Sequence, residues 1–205
     1  MTKVSRIDRI YSTIGALLHV FFVAGPLDFL NWINSRLKSV RGQTVVITGA
    51  ASGIGQRLAE IFSVKLGANV AILDIDAHGA QNTVKRITCD GGVAKYWICD
   101  TSRAEEVDKC AQQIYATFGF VDIVICNAAV LYFGRILDLT TSQIQKSVNV
   151  NVIGTINTIR AFLRPMEQRN EGQIVAISSI AGFCGETNGV AYWSAFNPDF
   201  PSPDF

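Results

Sequence analysis

Apolar and polar positions fall into two regimes along the chain. Residues 10–27 are eighteen positions without a formal charge, interrupted by Asp28 and resumed by apolar residues to Ile33. From position 43 the pattern turns regular, with short apolar or β-branched runs alternating with stretches of helical periodicity. Strands are expected over residues 44–47, 69–74, 94–99, 122–126 and 173–178, each a compact apolar run bounded by turn residues. Helices are expected over 54–66 with Gly67 as the stop, over 78–88, from Ser102 to about Phe118, and from Ser142 as far as Gln168. Ser102-Arg-Ala-Glu105 and Ser142-Gln-Ile-Gln145 read as the capping boxes that open the last two. Five apolar strands alternating with four helices predict an α/β fold built on a doubly wound parallel sheet, covered on both faces.

Composition narrows the class. The 205 residues carry 18 basic and 17 acidic side chains, a net charge of +1, so no basic field favours nucleic acid. Apolar residues make up 49% and charged residues 17%, which excludes a disordered chain. The mean hydropathy of +0.26 is high, in part because of the N-terminal block. Cys89, Cys99, Cys110, Cys126 and Cys184 are odd in number and none is spaced C-x-x-C, so neither a zinc site nor a disulfide framework is expected. They read as free thiols of a reducing compartment.

As a helix the uncharged block would reach about 27 Å, close to the thickness of a bilayer core. Lys3, Arg6 and Arg9 precede it and Arg36, Lys38 and Arg41 follow, so flanking charge leaves the orientation undecided. Pro26 and Asp28 make its far end a poor span, and a helix lying in one leaflet is the alternative. A cleaved signal peptide and a buried core helix are the competing readings. Membrane attachment through residues 10–33 is the reading preferred.

Thr48-Gly49-Ala-Ala-Ser52-Gly53-Ile54-Gly55 lies between the first strand and the first helix. A dinucleotide needs glycine there because the turn is tight, the backbone must approach the pyrophosphate, and the helix must pack close to the strand. The helix N-terminus then offers free N–H groups and its positive dipole end to phosphate. Asp74 ends the second strand, where a carboxylate accepts from a ribose diol and repels a 2′-phosphate. Ser52 is not basic and offers such a phosphate nothing, so both residues favour NAD over NADP. Asp76 is close enough to be the working carboxylate instead, and a turn or N-cap role for either remains open.

With these residues in place the chain resembles the short-chain dehydrogenase/reductase family, over about residues 41–195. The glycine loop is similar to the family's cofactor loop, and Asp100 matches its adenine-contacting Asp. Asn127-Ala128-Ala129 is similar to its Asn-Ala-Gly turn, with Ala129 in place of Gly. Asn151 matches the catalytic Asn, and Ser179 and Tyr192, thirteen residues apart, match the catalytic Ser and Tyr, whereas Ser178 fits that spacing less well. The resemblance implies a Rossmann-like fold and hydride transfer with NAD. In that chemistry Tyr is the base, Ser holds the substrate oxygen and Asn orders a water and proton path. The N-terminal block resembles the membrane-anchored branch with retinol and 17β-hydroxysteroid dehydrogenases. That branch implies a small lipophilic alcohol or ketone, and an endoplasmic-reticulum or lipid-droplet location with the domain in the cytosol. A homo-oligomer is compatible with the family and not specified by it.

One family element is missing. A Lys four residues after the Tyr stabilises the tyrosinate and holds the nicotinamide ribose, but position 196 is Phe and no Lys or Arg follows Tyr192. Pro198, Pro201 and Pro203 cannot continue a helix or a central strand. The expected organisation is therefore an anchor segment over 1–40, an NAD(P)-binding domain over 41–195 whose sheet is incomplete at its C-terminal edge, and a Pro-rich tail over 196–205. A truncated form of a working enzyme is the preferred reading. An inactive nucleotide-binding module and an unstable truncated isoform are the alternatives.

Overall fold

β-Branched side chains favour extended backbone and pack well on a pleated surface. In Thr44–Thr48 (β1), a run of five such residues, every position is buried. The computed structural model describes residues 14–16, 18–34, 38–180, 189 and 192, and the chain divides into two units, Met1–Ser39 and Val40–Phe205.

In the second unit β1 is joined by Asn69–Asp74 (β2), Val93–Ile98 (β3), Ile123–Cys126 (β4) and Gln173–Ala176 (β5). All pairings are parallel and the order is β3-β2-β1-β4-β5. The chain builds outward from β1 to β3, then returns to place β4 on the other side of β1. That reversal makes the C-terminal ends of β1 and β4 the switch point, where open α/β sheets hold ligands.

Gly25–Asn34 (α1) belongs to the first unit, and the helices between the strands of the second are Gly53–Glu60 (α2), Ala77–Cys89 (α3), Ala104–Phe118 (α4), Thr141–Val148 (α5) and Thr155–Arg169 (α6). The central strands β2, β1 and β4 are buried on both faces, and successive side chains along each point to opposite cores. Val45, Ile47, Val70, Ile72 and Ile125 face one core with Ala59 of α2 and Ala80 and Ile87 of α3. Val46, Leu73 and Val124 face the other with Val107 and Ile114 of α4 and Phe162 and Met166 of α6. This is the doubly wound parallel sheet expected from the apolar pattern.

Helix entry differs from the sequence reading in two places. The Ser102 box does not form: α4 starts at Ala104 behind Arg103, which gives no side-chain cap. The Ser102 hydroxyl is taken by Asp100 Oδ1 at 2.7 Å. The second box forms two residues earlier, between Thr140 and Gln143 rather than Ser142 and Gln145. Two helices also widen. α2 runs on into a π turn over Ile61–Lys65, and α5 and α6 are one continuous helix through a π turn over Asn149–Gly154.

In the first unit a π turn over Val20–Ala24 leads into Gly25–Asn34 (α1). Pro26 has no N–H to give, and the turn widens beside it, with the Gly25 N–H reaching back to the Val20 carbonyl. Phe21, Phe22, Phe29 and Leu30 are all more than half exposed. No helix among the described residues is long and apolar enough to cross a membrane. The tail over 196–205 lies outside the described residues.

Candidate functional site

The loop after β1 is tied to the turn after β4 by a set of short hydrogen bonds. The Thr48 hydroxyl accepts from the N–H groups of Asn127 and Ala128, both at 3.0 Å. The Asn127 amide donates to the carbonyls of Thr48 at 3.0 Å and Gly49 at 3.1 Å. Gly49 has φ +67°, and a Cβ there would come within 2.7 Å of the Ala128 backbone, so only glycine lets the two turns meet. Ala129, the Gly of the family turn, needs no such freedom: Asn170 is the sole non-glycine residue with positive φ among the described residues.

The second strand fixes the other wall. Asp74 Oδ2 accepts from the Ala51 N–H at 2.8 Å and Oδ1 from the Asp76 N–H at 3.0 Å. Each oxygen keeps a lone pair for a further donor. Asp76 is committed elsewhere, its carboxylate capping α3 through the Gly79 N–H. Asp100, just past β3, holds Ser102 through both its N–H and its hydroxyl.

These elements enclose a cleft of about 620 Å³ at the switch point. Gly49, Ser52, Gly53 and Ile54 line its floor, with Asp74, Asp100, Asn127 and Ala128 around them. Thr48 and Gly55 do not line it. Thr48 turns its hydroxyl to the β4 turn, and Gly55 sits where a side chain would strike the Gly49 carbonyl and Asn127. Ser52 makes no side-chain cap to α2, so first-turn N–H groups are left for whatever occupies the cleft. Nothing lies within 4 Å of the Cβ position of Gly53, and the space in front of that turn is open. Among the described residues no group of His, Cys, Asp or Glu is arranged to hold a metal ion.

Asn151 sits on the π turn between α5 and α6, the kind of widened turn that recurs at functional sites. It is 8% exposed, and its side chain satisfies both backbone groups of Val130, accepting from the N–H at 2.8 Å and donating to the carbonyl at 3.0 Å. Asn151 thus pins the chain leaving β4. It lines a second cleft of about 260 Å³, beside Cys126, Ile177 and Ser178. Ser179, the next residue, and Tyr192 are half-buried, and neither lines the larger cleft. The Tyr192 N–H bonds the Gly189 carbonyl. Phe196 lies outside the described residues.

Among the lining residues that the sequence reading missed are Ser142, Gln145, Lys146 and Asn149. Their spacing puts them on one face of α5 and the first position of the π turn that follows it. In sequence such a face looks like an ordinary solvated one.

Burial pushes the Cys126 thiol up to about 11. A thiol whose folded value lies above its unfolded value of 9.0 stabilises the fold fully below pH 9 and loses that contribution as pH rises towards 11. The gap in urea midpoint between wild type and Cys126→Ala is therefore expected to shrink from pH 9 to pH 11. A gap that stays constant over that range would contradict the burial argument.

The family model described as short chain dehydrogenase matches residues 43–195. 17-beta-hydroxysteroid dehydrogenase 13 of Rattus norvegicus is 36% identical over 151 residues, covering 74% of this chain and 50% of that protein. Estradiol 17-beta-dehydrogenase 11 of Homo sapiens is 35% identical over 180 residues, covering 87% of this chain and 60% of that protein. The chain thus spans about half to three-fifths of the length of these curated relatives. Among solved structures, a short chain dehydrogenase/reductase from Burkholderia phymatum in complex with NAD superposes with a TM-score of 0.75 at 27% identity, covering 78% of this chain and 57% of that one.

Proposed function

The chain belongs to the short chain dehydrogenase family, and from that membership we propose that it binds NAD(H) in the cleft at the switch point and serves hydride exchange with a small lipophilic alcohol or ketone, retinol- or steroid-like. The observation that carries this reading is the Thr48–Asn127 knot, which holds an uncapped helix start and the Asp74 carboxylate around one cleft.

The residues present fit the dinucleotide. The open turn at Gly53 and the free N–H groups of α2 suit a pyrophosphate. Asp74 is placed to accept from an adenosine ribose diol and to repel a 2′-phosphate, which favours NAD over NADP. Asp100, in the same lining, would contact the adenine, as the family resemblance implies. When bound, NAD supplies the hydride acceptor. Asn151 acts through the chain leaving β4, whose backbone it holds in register with the cleft. In this reading Ser179 holds the substrate oxygen and Tyr192 takes its proton as the general base. The apolar segment over residues 10–33 attaches the domain to an endoplasmic-reticulum or lipid-droplet surface, supported by the exposed Phe21, Phe22 and Phe29.

A second reading is favoured by one specific observation, Phe196 four residues after Tyr192. Without an ammonium there the general base is weakened, by about 10²–10⁴ in rate. The chain is then a nucleotide-binding module with little or no turnover. One experiment separates the readings. Saturating NAD(H) at about 100 Kd stabilises either form by ~2.7 kcal/mol, a rise in Tm of roughly 5–10 °C. NADH production from retinol or steroid alcohols in micelles then distinguishes enzyme from module, and Phe196→Lys is expected to raise it. Absence of any thermal shift with NAD(H) would overturn both.

A further inference from the structure

The larger cleft carries three charged side chains among its described lining residues: the carboxylates of Asp74 and Asp100, and the ammonium of Lys146. Asp74 and Asp100 are held in place by backbone hydrogen bonds, and Asp100 has Arg103 as its own partner at 3.9 Å, whereas no cation pairs with Asp74 among the described residues. Lys146 is held by nothing comparable. It is exposed, and no carboxylate lies within ion-pair distance of it among the described residues.

A purely structural role does not account for its place. A cation in the last turn of a helix ordinarily offsets the negative end of the dipole. The end of α5 is not a free end, because the Asn149 N–H bonds the carbonyls of Gln145 and Lys146 and the helix continues through the π turn into α6. What the position does provide is access. Ser142, Gln145, Lys146 and Asn149, spaced three and four residues apart, all line the cleft.

The geometry points to Lys146 as the counter-charge of this cleft, a positioning residue that raises affinity for the anionic pyrophosphate of the dinucleotide and offsets Asp74. This rests on the reading of the cleft as a dinucleotide site. The interaction is a field through water rather than a buried ion pair, so its size is set by screening. A unit charge acting over about one Debye length changes affinity a few-fold at low ionic strength and hardly at all in strong salt.

The test compares wild type with Lys146→Gln, Lys146→Glu and Lys146→Arg by calorimetric titration of the full chain with ADP-ribose, NADH and uncharged adenosine. At ~10 mM ionic strength Lys146→Gln is expected to weaken ADP-ribose and NADH binding about threefold and Lys146→Glu about tenfold. Lys146→Arg keeps wild-type affinity. Adenosine binds all four proteins alike, and at ~0.5 M salt the differences fall below twofold. A role confined to helix stability would move adenosine and ADP-ribose together and leave the salt slope unchanged. If wild type binds the dinucleotide and Lys146→Gln binds it equally at low salt, the assignment of Lys146 fails while the cofactor reading stands. If wild type binds neither ADP-ribose nor NADH, both fall together.

Discussion

Gly55→Ala is expected to lower the Tm by roughly 6–12 °C and to abolish the rise in Tm that NAD(H) produces. The added methyl would strike the Gly49 carbonyl and lie 2.5 Å from the Asn127 amide nitrogen and 2.9 Å from the Ala50 Cα. Two of these neighbours are backbone, and Asn127 is fixed by its own hydrogen bonds to the Thr48 and Gly49 carbonyls. None can yield without breaking the knot between the loop and the β4 turn. Overpacking of a site that cannot relax costs about 3 kcal/mol. Gly53→Ala is the control. Its φ of +58° penalises a side chain by ~1–2 kcal/mol, but nothing lies within 4 Å of the new methyl. Thermal melts of the two variants, with and without NADH, check the difference. Equal, small losses for both would show that the close approach at Gly55 is not rigid.

Thr48→Val is expected to destabilise the fold by about 2–4 kcal/mol although it changes almost no volume. Thr48 is 2% exposed, and its hydroxyl is the acceptor for two N–H groups, of Asn127 and Ala128. Valine fills the same space and accepts nothing. Each half-buried N–H then loses its partner at ~1–2 kcal/mol apiece. Thr48→Ser keeps the acceptor and loses one methyl, so it should retain most of the stability. Urea midpoints for the three proteins decide the matter. A valine variant as stable as wild type would mean that water or a relaxed turn satisfies those donors. Within the proposed cofactor reading, Thr48 is a strut that carries the cleft rather than part of its lining.

The three inner strands β2, β1 and β4 were legible because they are apolar runs buried on both faces, and length separates them from helices. Val45 and Val46 face opposite cores, and no other arrangement buries both. The glycine loop and Asp74 were legible because strand–turn–helix context restricts what those residues can do. Helix entry was less legible. Thr140, Thr141 and Ser142 are adjacent, with Gln143 and Gln145 following, so two overlapping capping boxes are written in the same letters. The backbone chose Thr140. Ser102 was misread because its competing partner, Asp100, is local and takes the hydroxyl first. The π turns left no signal in composition or period. The bond between Asn151 and Val130 spans 21 residues and depends on that turn, so no spacing rule could reveal it. Lys146 was invisible because a polar helix face reads the same whether it meets bulk water or a cleft.

The reversal of strand order also has a kinetic consequence. Contacts from the β1 loop to β2 close short circuits, such as the 23 residues from Ala51 to Asp74. The knot that makes the cleft spans 79 residues from Thr48 to Asn127. Loop-closure entropy and contact order both place such a pairing late in folding. During synthesis β1, β2 and β3 can assemble with α2 and α3 while the far edge of β1 has no strand to pair with. That edge stays open to stray pairing until Asn127 has left the ribosome, so the order of emergence pairs β2 on both sides early and leaves β1, central in the finished sheet, waiting as an edge.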